Sequence, residues 1–326
     1  MIRIYGIIIF LLHTAALAQY APPAGQVGTS AVHKDSAAIV SWADAVFYFQ
    51  RGASDIANGW SSLASFGDST EALGYAQGNS TNVISLGDSG SIILSFPYPI
   101  MNGPGNDFAV FENSFSDEYL EFAFVEVSSD GINFVRFPSV SLIPVITQTG
   151  PYENSNTELV HNLAGKFRQG YGTPFDLEDL VDSTSLNLDS ILFVKITDVI
   201  GTINMSYTTY DSQGNRINDP YPTDFASGGF DLDGVGVMNE NNIYAGVEQT
   251  EKMNISVYPN PSDGNFFIQS EAEFFNLEIY DGSGRLIWNQ QECTSGSFQF
   301  DFLVEGAYFV RVGSDDYFSL KRILIF

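Results

Sequence analysis

Short runs of alternating apolar and polar residues dominate the chain from about residue 31 to 240. In residues 91–96, the apolar side chains of Ile92, Leu94 and Phe96 alternate with polar or smaller ones. Successive side chains of a strand point to opposite faces, so this pattern predicts a strand with one buried face. Many such runs are separated by turn-forming clusters, which is typical of a β-sandwich.

Two further segments extend this pattern. Residues 122–127 and 132–137 are apolar runs on either side of Asp130-Gly131, and this pair predicts a hairpin with a tight type I′ turn. Residues 191–196 are apolar at almost every position. A strand of this composition is expected in the centre of a sheet that is covered on both faces.

Helical signals are sparse. The sequence indicates one helix, of one or two turns around Leu177–Val181, with Asp176 as its N-cap. We therefore predict an all-β fold: a jelly-roll-like β-sandwich over residues 19–245, a linker over 246–252, and a small β-sandwich over 253–326.

The first 18 residues have the pattern of a secretory signal peptide. Arg3 gives a positive start, Ile7–Leu12 forms a short apolar core, and an A-x-A cleavage site ends at Ala18. The mature chain is then expected to begin at Gln19. The apolar core is shorter than the roughly 20 residues that a membrane span needs, and no later segment approaches that length.

Composition narrows the functional classes. The chain has 13 Lys and Arg against 39 Asp and Glu, a formal net charge of −26. Such a charge argues against binding to nucleic acid or to an anionic membrane surface. Because 44% of the residues are hydrophobic, the chain can still bury a core. The single cysteine, Cys293, allows neither an internal disulfide nor a cysteine-based zinc site.

The last quarter of the chain contains four ordered blocks: residues 257–261, 279–285, 303–312 and a final strand that begins with Lys321-Arg322. Together, over about residues 253–326, they resemble the type IX secretion C-terminal sorting domain of Bacteroidota. The resemblance implies export through the type IX translocon, followed in that family by removal of the domain and either release or attachment at the cell surface. The residues expected to form the export signal are Tyr258, Pro259, Asn260, Pro261, Gly284, Gly306, Tyr308 and Lys321.

The preceding part of the chain, from about residue 31 to 240, contains five further segments of this kind: residues 83–92, 102–113, 123–131, 163–177 and 228–237. Together they resemble a poorly characterised family of secreted bacterial cell-surface proteins with a predicted jelly-roll sandwich. The resemblance implies a fold and a location, and no established activity comes with it.

Acidic residues are the main candidates for a metal site. Asp107 and Glu112 flank a predicted strand, and Asp231 and Asp233 share one face if residues 230–237 form a strand. Like charges on one face repel each other unless water or a cation neutralises them. Since Ca²⁺ prefers carboxylate and carbonyl oxygens, we expect these four residues to bind Ca²⁺ and stabilise the loops. The alternative is a solvated acidic edge.

Aromatic residues in predicted loops are candidates for ligand binding, because their faces can stack on sugars. The residues expected to act in this way are Trp60, Tyr171, Tyr210 and Tyr221. The alternative is that they anchor loops or pack in the core.

No catalytic set stands out. Gly87-Asp88-Ser89-Gly90 resembles a serine-protease nucleophile motif, but its position between two predicted strands favours a turn. The leading hypothesis is a non-catalytic binding or adhesion protein with a glycan as its ligand. A hydrolase acting on polysaccharide or peptide and a structural surface-layer component are the alternatives.

Overall fold

A computed structural model describes residues 20–242, 255–270, 275–282, 285–313 and 318–326. The predicted signal peptide (1–18), the predicted linker (246–252) and Gly284 lie outside the described residues. Within the described ranges, no helix is long and apolar enough to cross a membrane.

Residues 20–242 form the front sandwich. Its strands are β1 (Val32–His33), β2 (Ser41–Trp42), β3 (Ala45–Gln50), β4 (Ile84–Ser85), β5 (Ser91–Ile100), β6 (Phe108–Glu112), β7 (Ala123–Ser128), β8 (Val135–Arg136), β9 (Val140–Ser141), β10 (Val160–His161), β11 (Tyr171–Phe175), β12 (Ile191–Asp198) and β13 (Asp231–Val237). One sheet has the order β1-β11-β6-β13-β2, with β4 also paired to β13, and the other has the order β3-β5-β12-β7-β8. The described neighbours pair antiparallel.

The core lies between these two sheets. Alternate side chains of each strand point into it. Ile92, Leu94 and Phe96 all point inward and are at most 2% exposed, which confirms the face predicted from the sequence. From the opposite sheet, the Phe108 ring stacks on Phe175 with centroids 5.4 Å apart. Burial of these apolar side chains is the main stabilising contribution to the sandwich.

The hairpin around Asp130 differs from its prediction. Strands β7 and β8 do pair, with Val127 opposite Val135, but six residues separate them rather than a two-residue turn. The Asp130 side chain accepts hydrogen bonds from the backbone N–H groups of Ile132 and Asn133, each at 2.8 Å. These side-chain bonds stabilise a longer loop in place of the type I′ turn.

The predicted helix is confirmed as a 3₁₀ turn, Leu177–Leu180, whose N-cap Asp176 accepts from the Glu178 N–H. The prediction of a single helix is wrong. The other 3₁₀ segments in the described residues are Ile56–Ser61, Ser69–Ala72 and Thr157–Leu159. Each follows an Asp or Asn that caps it in the same way, and such short capped turns carry no apolar periodicity to detect.

The described residues from 255 to 326 form a second, smaller sandwich. Its strands are β14 (Ile255–Tyr258), β15 (Asn265–Ser270), β16 (Phe275–Asp281), β17 (Leu286–Cys293), β18 (Gly296–Gln299), β19 (Gly306–Gly313) and β20 (Phe318–Ile325). They make one sheet of β14-β15-β18 and another of β17-β16-β19-β20. Their apolar faces enclose a core separate from that of the front sandwich, so the predicted all-β architecture of two successive sandwiches is confirmed.

The two sandwiches meet on the outer face of β12. There Leu192 belongs to one apolar cluster with Phe309 and Leu324 of the C-terminal sandwich. An Arg322 guanidinium nitrogen lies 2.7 Å from a carboxylate oxygen of Asp44. This contact explains why residues in β12 are apolar on both faces: one face lies in the front core and the other is covered by the C-terminal sandwich.

We expect Val310→Asp to unfold the C-terminal sandwich and to leave the front sandwich folded. Val310 is fully buried in the C-terminal core, where an unpaired carboxylate costs several kcal/mol. Limited proteolysis of the full chain with mass spectrometry would then show degradation of the C-terminal part and protection of residues 20–242. Val304→Asp is the matched control, since Val304 is 71% exposed, and it should behave like the unchanged protein. Equal sensitivity of both sandwiches in Val310→Asp would contradict separate folding.

Candidate functional site

The four acidic residues proposed as metal ligands do not come together. Asp107 lies at the start of β6, where its carboxylate accepts hydrogen bonds from the N–H groups of Gly103 and Leu177 at 2.8 and 2.7 Å. It also accepts from the Asn239 amide at 2.9 Å. Asp107 therefore joins three segments at one end of the front sandwich, at the opposite end of β6 from Glu112.

The Asp233 carboxylate is also engaged in hydrogen bonds to the backbone of a loop. Its two carboxylate oxygens accept from the N–H groups of Gln77 and Gly78 at 2.8 and 2.7 Å. A bulge in the pairing of β13 with β6 falls between Leu232 and Gly234, and Asp231 bonds to a different set of residues. Of the four candidates, the structure brings together only Glu112 and Asp231. In the described residues, no group of three His, Cys, Asp or Glu side chains is placed to hold a metal ion.

Glu112 and Asp231 belong to a larger group of buried carboxylates, which we call the acidic cluster. Antiparallel pairing brings strand ends to one end of the sandwich: Glu112 at the end of β6 lies opposite Leu232 in β13, and Asp198 at the end of β12 lies opposite Ala123 in β7. All members are at most 7% exposed. The acidic cluster consists of Asp88, Glu112, Glu121, Asp198, Asp219 and Asp231.

Backbone donors satisfy part of this cluster. Glu112 accepts from the Ser114 N–H at 2.7 Å, Asp198 from the Phe230 N–H at 2.7 Å, and Asp219 from the Phe122 N–H at 2.8 Å. These bonds position the loops that connect the strands. They leave the second oxygens of Glu112 (Oε1) and of Asp219 (Oδ1) buried with no hydrogen-bond partner, which is costly for a polar atom.

Asp231 has side-chain partners instead. It accepts from the Ser85 hydroxyl and from the Asn113 amide, the latter at 3.0 Å. Arg51 is the cation that acts on it, but the guanidinium is itself engaged with backbone carbonyls of Phe66 and Ser85, each at 2.7 Å. The positive charge near the cluster is therefore small compared with the number of carboxylates.

Burial and mutual repulsion raise the pKa of these carboxyls. Desolvation is the largest cause at Asp88 and Asp231 and raises the pKa of each to about 6. The pKa of Glu121 is raised well above its usual value, first by burial and then by the charges of Asp231 and Glu112. A site of this kind favours bound protons or a positively charged ligand.

A cleft of about 480 Å³ opens onto this cluster. We call it the aromatic cleft. Four of its five aromatic rings form two pairs, Phe115 on Tyr119 with centroids 4.5 Å apart and Tyr152 on Phe225 at 5.7 Å. Phe115 is 65% exposed and Tyr152 is 74% exposed. The aromatic and acidic residues of the lining are Phe66, Phe115, Tyr119, Glu121, Tyr152, Phe225 and Asp231.

The aromatic residues proposed from the sequence lie elsewhere. Trp60 is 54% exposed on a 3₁₀ segment, and the Tyr221 hydroxyl donates to Asp55 at 2.5 Å. The Arg168 guanidinium lies over the Tyr171 ring, 4.7 Å from its centroid. Tyr210 lines a different depression. None of the four lines the aromatic cleft.

The aromatics of the cleft were missed because they come from three distant loops. A usable signal was present: Phe115 and Tyr119 interrupt a polar run, and Tyr152 stands between Pro151 and Glu153 in another polar run. Large aromatic residues in polar loops are unusual unless they anchor the loop or contact a ligand.

The motif Gly87-Asp88-Ser89-Gly90 forms the predicted turn. The Gly90 N–H donates to the Gly87 carbonyl at 2.7 Å, closing the turn. The Ser89 N–H donates to Asp198 at 3.1 Å, so the backbone of this turn hydrogen-bonds to a member of the acidic cluster. The histidine His161 stacks on Tyr20 with centroids 4.9 Å apart.

Comparison with known families identifies the C-terminal sandwich. Residues 256–326 match the family model described as the secretion system C-terminal sorting domain. The resemblance noted in the sequence is thereby confirmed, and the protein is exported and is either secreted or held at the cell surface. The match implies interaction with the type IX secretion machinery.

Comparison with solved structures gives only distant similarities. A Ruminococcus gnavus beta-glucuronidase in complex with uronic isofagomine is 12% identical, covering 73% of this chain and 35% of that chain, with a TM-score of 0.19. A complex of the enzyme with C6-substituted uronic isofagomine is 13% identical, covering 88% and 45%, with a TM-score of 0.23. The chain thus spans less than half the length of these proteins, and such TM-scores support no conclusion. No curated protein matches the chain.

The acidic cluster predicts that the protein is more stable in mild acid than at neutral pH. A carboxyl whose folded pKa is raised binds more protons in the folded than in the unfolded state, so stability falls as pH rises from the unfolded to the folded pKa. For Asp88 and Asp231 this interval runs from 3.8 to about 6. We expect the melting temperature, measured by scanning calorimetry, to be on the order of 5 °C higher at pH 5 than at pH 7.5.

Glu121→Gln should raise the melting temperature at pH 7.5 and weaken this pH response, because it removes a carboxyl whose ionisation is opposed by burial and by the neighbouring charges. Asp182→Asn is the matched control, since Asp182 is exposed, and it should keep the response of the unchanged protein. A melting temperature that falls on acidification to pH 5 would show that the cluster is neutralised in another way.

Proposed function

We propose that this exported protein is a non-catalytic carbohydrate-binding adhesion module and that the aromatic cleft holds its ligand. The observation that carries the proposal is the pairing of exposed aromatic rings with carboxylates in one cleft. The apolar face of a sugar ring packs on an aromatic face, while carboxylates accept hydrogen bonds from sugar hydroxyls.

Exposure of the rings supports this assignment. Phe115, Tyr152 and Phe225 leave much of their surface in solvent, although the same surface would stabilise the fold if it were buried. Clustered exposed apolar surface with polar groups beside it is typical of a binding site. Delivery to the cell exterior would bring this cleft into contact with extracellular and surface polysaccharides.

A hydrolase is the second candidate, and one observation favours it. Glu121 and Asp231 line the same cleft, and glycoside hydrolysis commonly uses two carboxyls, one of which is held protonated by a raised pKa. Turnover of a bound oligosaccharide, abolished in Glu121→Gln, would assign the cleft to catalysis. Binding without turnover would assign it to adhesion.

We expect Tyr152→Ala and Phe225→Ala each to weaken carbohydrate binding about tenfold. Each substitution removes one ring of a stacked pair, and a loss of about 1.4 kcal/mol corresponds to that factor. A glycan array would first identify a ligand for the full chain, and titration calorimetry would then measure its affinity for each variant.

Tyr98→Ala is the control for this experiment, because Tyr98 is an aromatic residue of β5 that is 38% exposed and lies outside the cleft. Its affinity should equal that of the unchanged protein. An array without any ligand, or equal weakening in Tyr98→Ala, would contradict carbohydrate binding in the aromatic cleft.

Export should depend on the C-terminal sandwich. We expect a chain that lacks residues 253–326 to accumulate in the periplasm of its host, because the matched sorting domain would be absent. Immunoblotting of periplasmic, surface and medium fractions would measure the distribution, with full-length Val304→Asp as the control for normal delivery. Unchanged appearance of the truncated chain outside the cell would contradict this role.

A further inference from the structure

The floor of the aromatic cleft has more carboxyl groups than nearby cationic side chains. Glu121 and Asp231 face the cleft, and the other charges that act most strongly on Glu121 are those of Glu112, Asp219 and Asp198. Among the described residues, Arg51 is the cation that affects Asp231. A ligand that enters this cleft therefore meets an excess of carboxylate.

Two of the carboxyls whose charges act on Glu121 carry an oxygen atom without a hydrogen-bond partner. Glu112 is 1% exposed and Asp219 is 3% exposed, yet Oε1 of Glu112 and Oδ1 of Asp219 have no hydrogen-bond donor. The charges that act on Glu112 are those of Asp231 and Asp219, so its free oxygen lies among carboxylates. Buried polar groups are normally satisfied, so these two atoms show that the acidic cluster is short of hydrogen-bond donors.

The aromatic rings around the floor of the cleft indicate which kind of cation would bind there. Five aromatic side chains line the cleft, and an ammonium group is attracted to the face of an aromatic ring as well as to a carboxylate. A metal ion would instead need several oxygen ligands around one point, and the described residues contain no such group. The surroundings therefore suit an organic cation better than a metal ion.

We propose that the ligand of the aromatic cleft carries a protonated amine, as an amino sugar without an acetyl group does, and that Glu121 and Asp231 receive this charge. The inference rests on the proposed carbohydrate-binding function and specifies its ligand class. The sugar ring stacks on Tyr152 or Phe115, and the ammonium group donates hydrogen bonds to the carboxylates below. Charge-assisted bonds in a partly desolvated cleft are stronger than those to neutral groups.

The test compares two probes that differ only in the amine: a β-1,4-linked glucosamine hexamer and the N-acetylglucosamine hexamer of the same linkage. Titration calorimetry of the full chain at pH 6.5 measures both. We expect the glucosamine hexamer to bind at least tenfold more tightly. This preference should shrink as NaCl is raised from about 50 mM to about 500 mM, because salt screens the charge pairing.

Variants separate charge recognition from stacking. Glu121→Gln should remove most of the preference and retain binding of the N-acetylated hexamer, which also reports that the cleft is intact. Asp182→Asn, at an exposed acid, should keep the full preference. Tyr152→Ala should weaken both probes together. If Glu121→Gln fails to fold, the salt dependence of the unchanged protein still tests the charge pairing.

Three results would overturn the inference. Equal affinity for the two hexamers would refute recognition of an amine and leave carbohydrate binding in place. Binding of Ca²⁺ alone, lost in Glu121→Gln and without any glucosamine binding, would assign the cluster to a metal. Failure of both hexamers to bind, while another glycan binds in a Tyr152-dependent manner, would also refute recognition of an amine. An array with no ligand at all would refute the proposed function itself.

Discussion

The concentration of carboxylates at one end of the front sandwich is the constraint on which the candidate site depends. Antiparallel pairing places the end of β6, the start of β13, the end of β12 and the start of β7 side by side. Acidic residues at these strand ends are then sealed from water and repel one another. The fold tolerates this because backbone N–H groups of Ser114, Phe122 and Phe230 bond to them. The carboxylates that order the loops therefore also define the charge of the cleft.

Loop geometry positions the most exposed member of this group. Gly165 has a φ of +82°, and a Cβ at this position would lie 1.8 Å from the Glu121 carbonyl oxygen. The Ala164 and Ala123 backbones pair beside it. Only a glycine permits this close approach, which fixes the backbone at Glu121 between β7 and the neighbouring loop. The position of the Glu121 backbone is thus set by packing of the main chain.

Sequence patterns predicted the sheets better than the site, and the reason is physical. Burial of one strand face is a local property, so the alternation at residues 91–96 identified the inward side chains of β5. The site depends on contacts between loops far apart in the chain, such as Tyr152 with Phe225, which no local pattern contains. The sequence predicted that Asp231 and Asp233 share one face of a strand. A bulge between Leu232 and Gly234 interrupts this strand, and the two carboxylates bond to different residues, because a one-residue irregularity changes which neighbours each side chain meets.

The contact with the sorting domain and the aromatic cleft lie at opposite ends of the same strands. Ser190, just before β12, donates a hydrogen bond from its hydroxyl to the Gly282 carbonyl at 3.1 Å, whereas Asp198 at the other end of β12 belongs to the acidic cluster. A strand of eight residues is about 25 Å long. The sorting domain can therefore cover the apolar outer face of β12 without touching the cleft, since the residues lining the two surfaces do not overlap. The contact with the sorting domain and the aromatic cleft consequently place separate demands on the sequence: the first needs an apolar outer face on β12, and the second is bordered by the acidic strand ends.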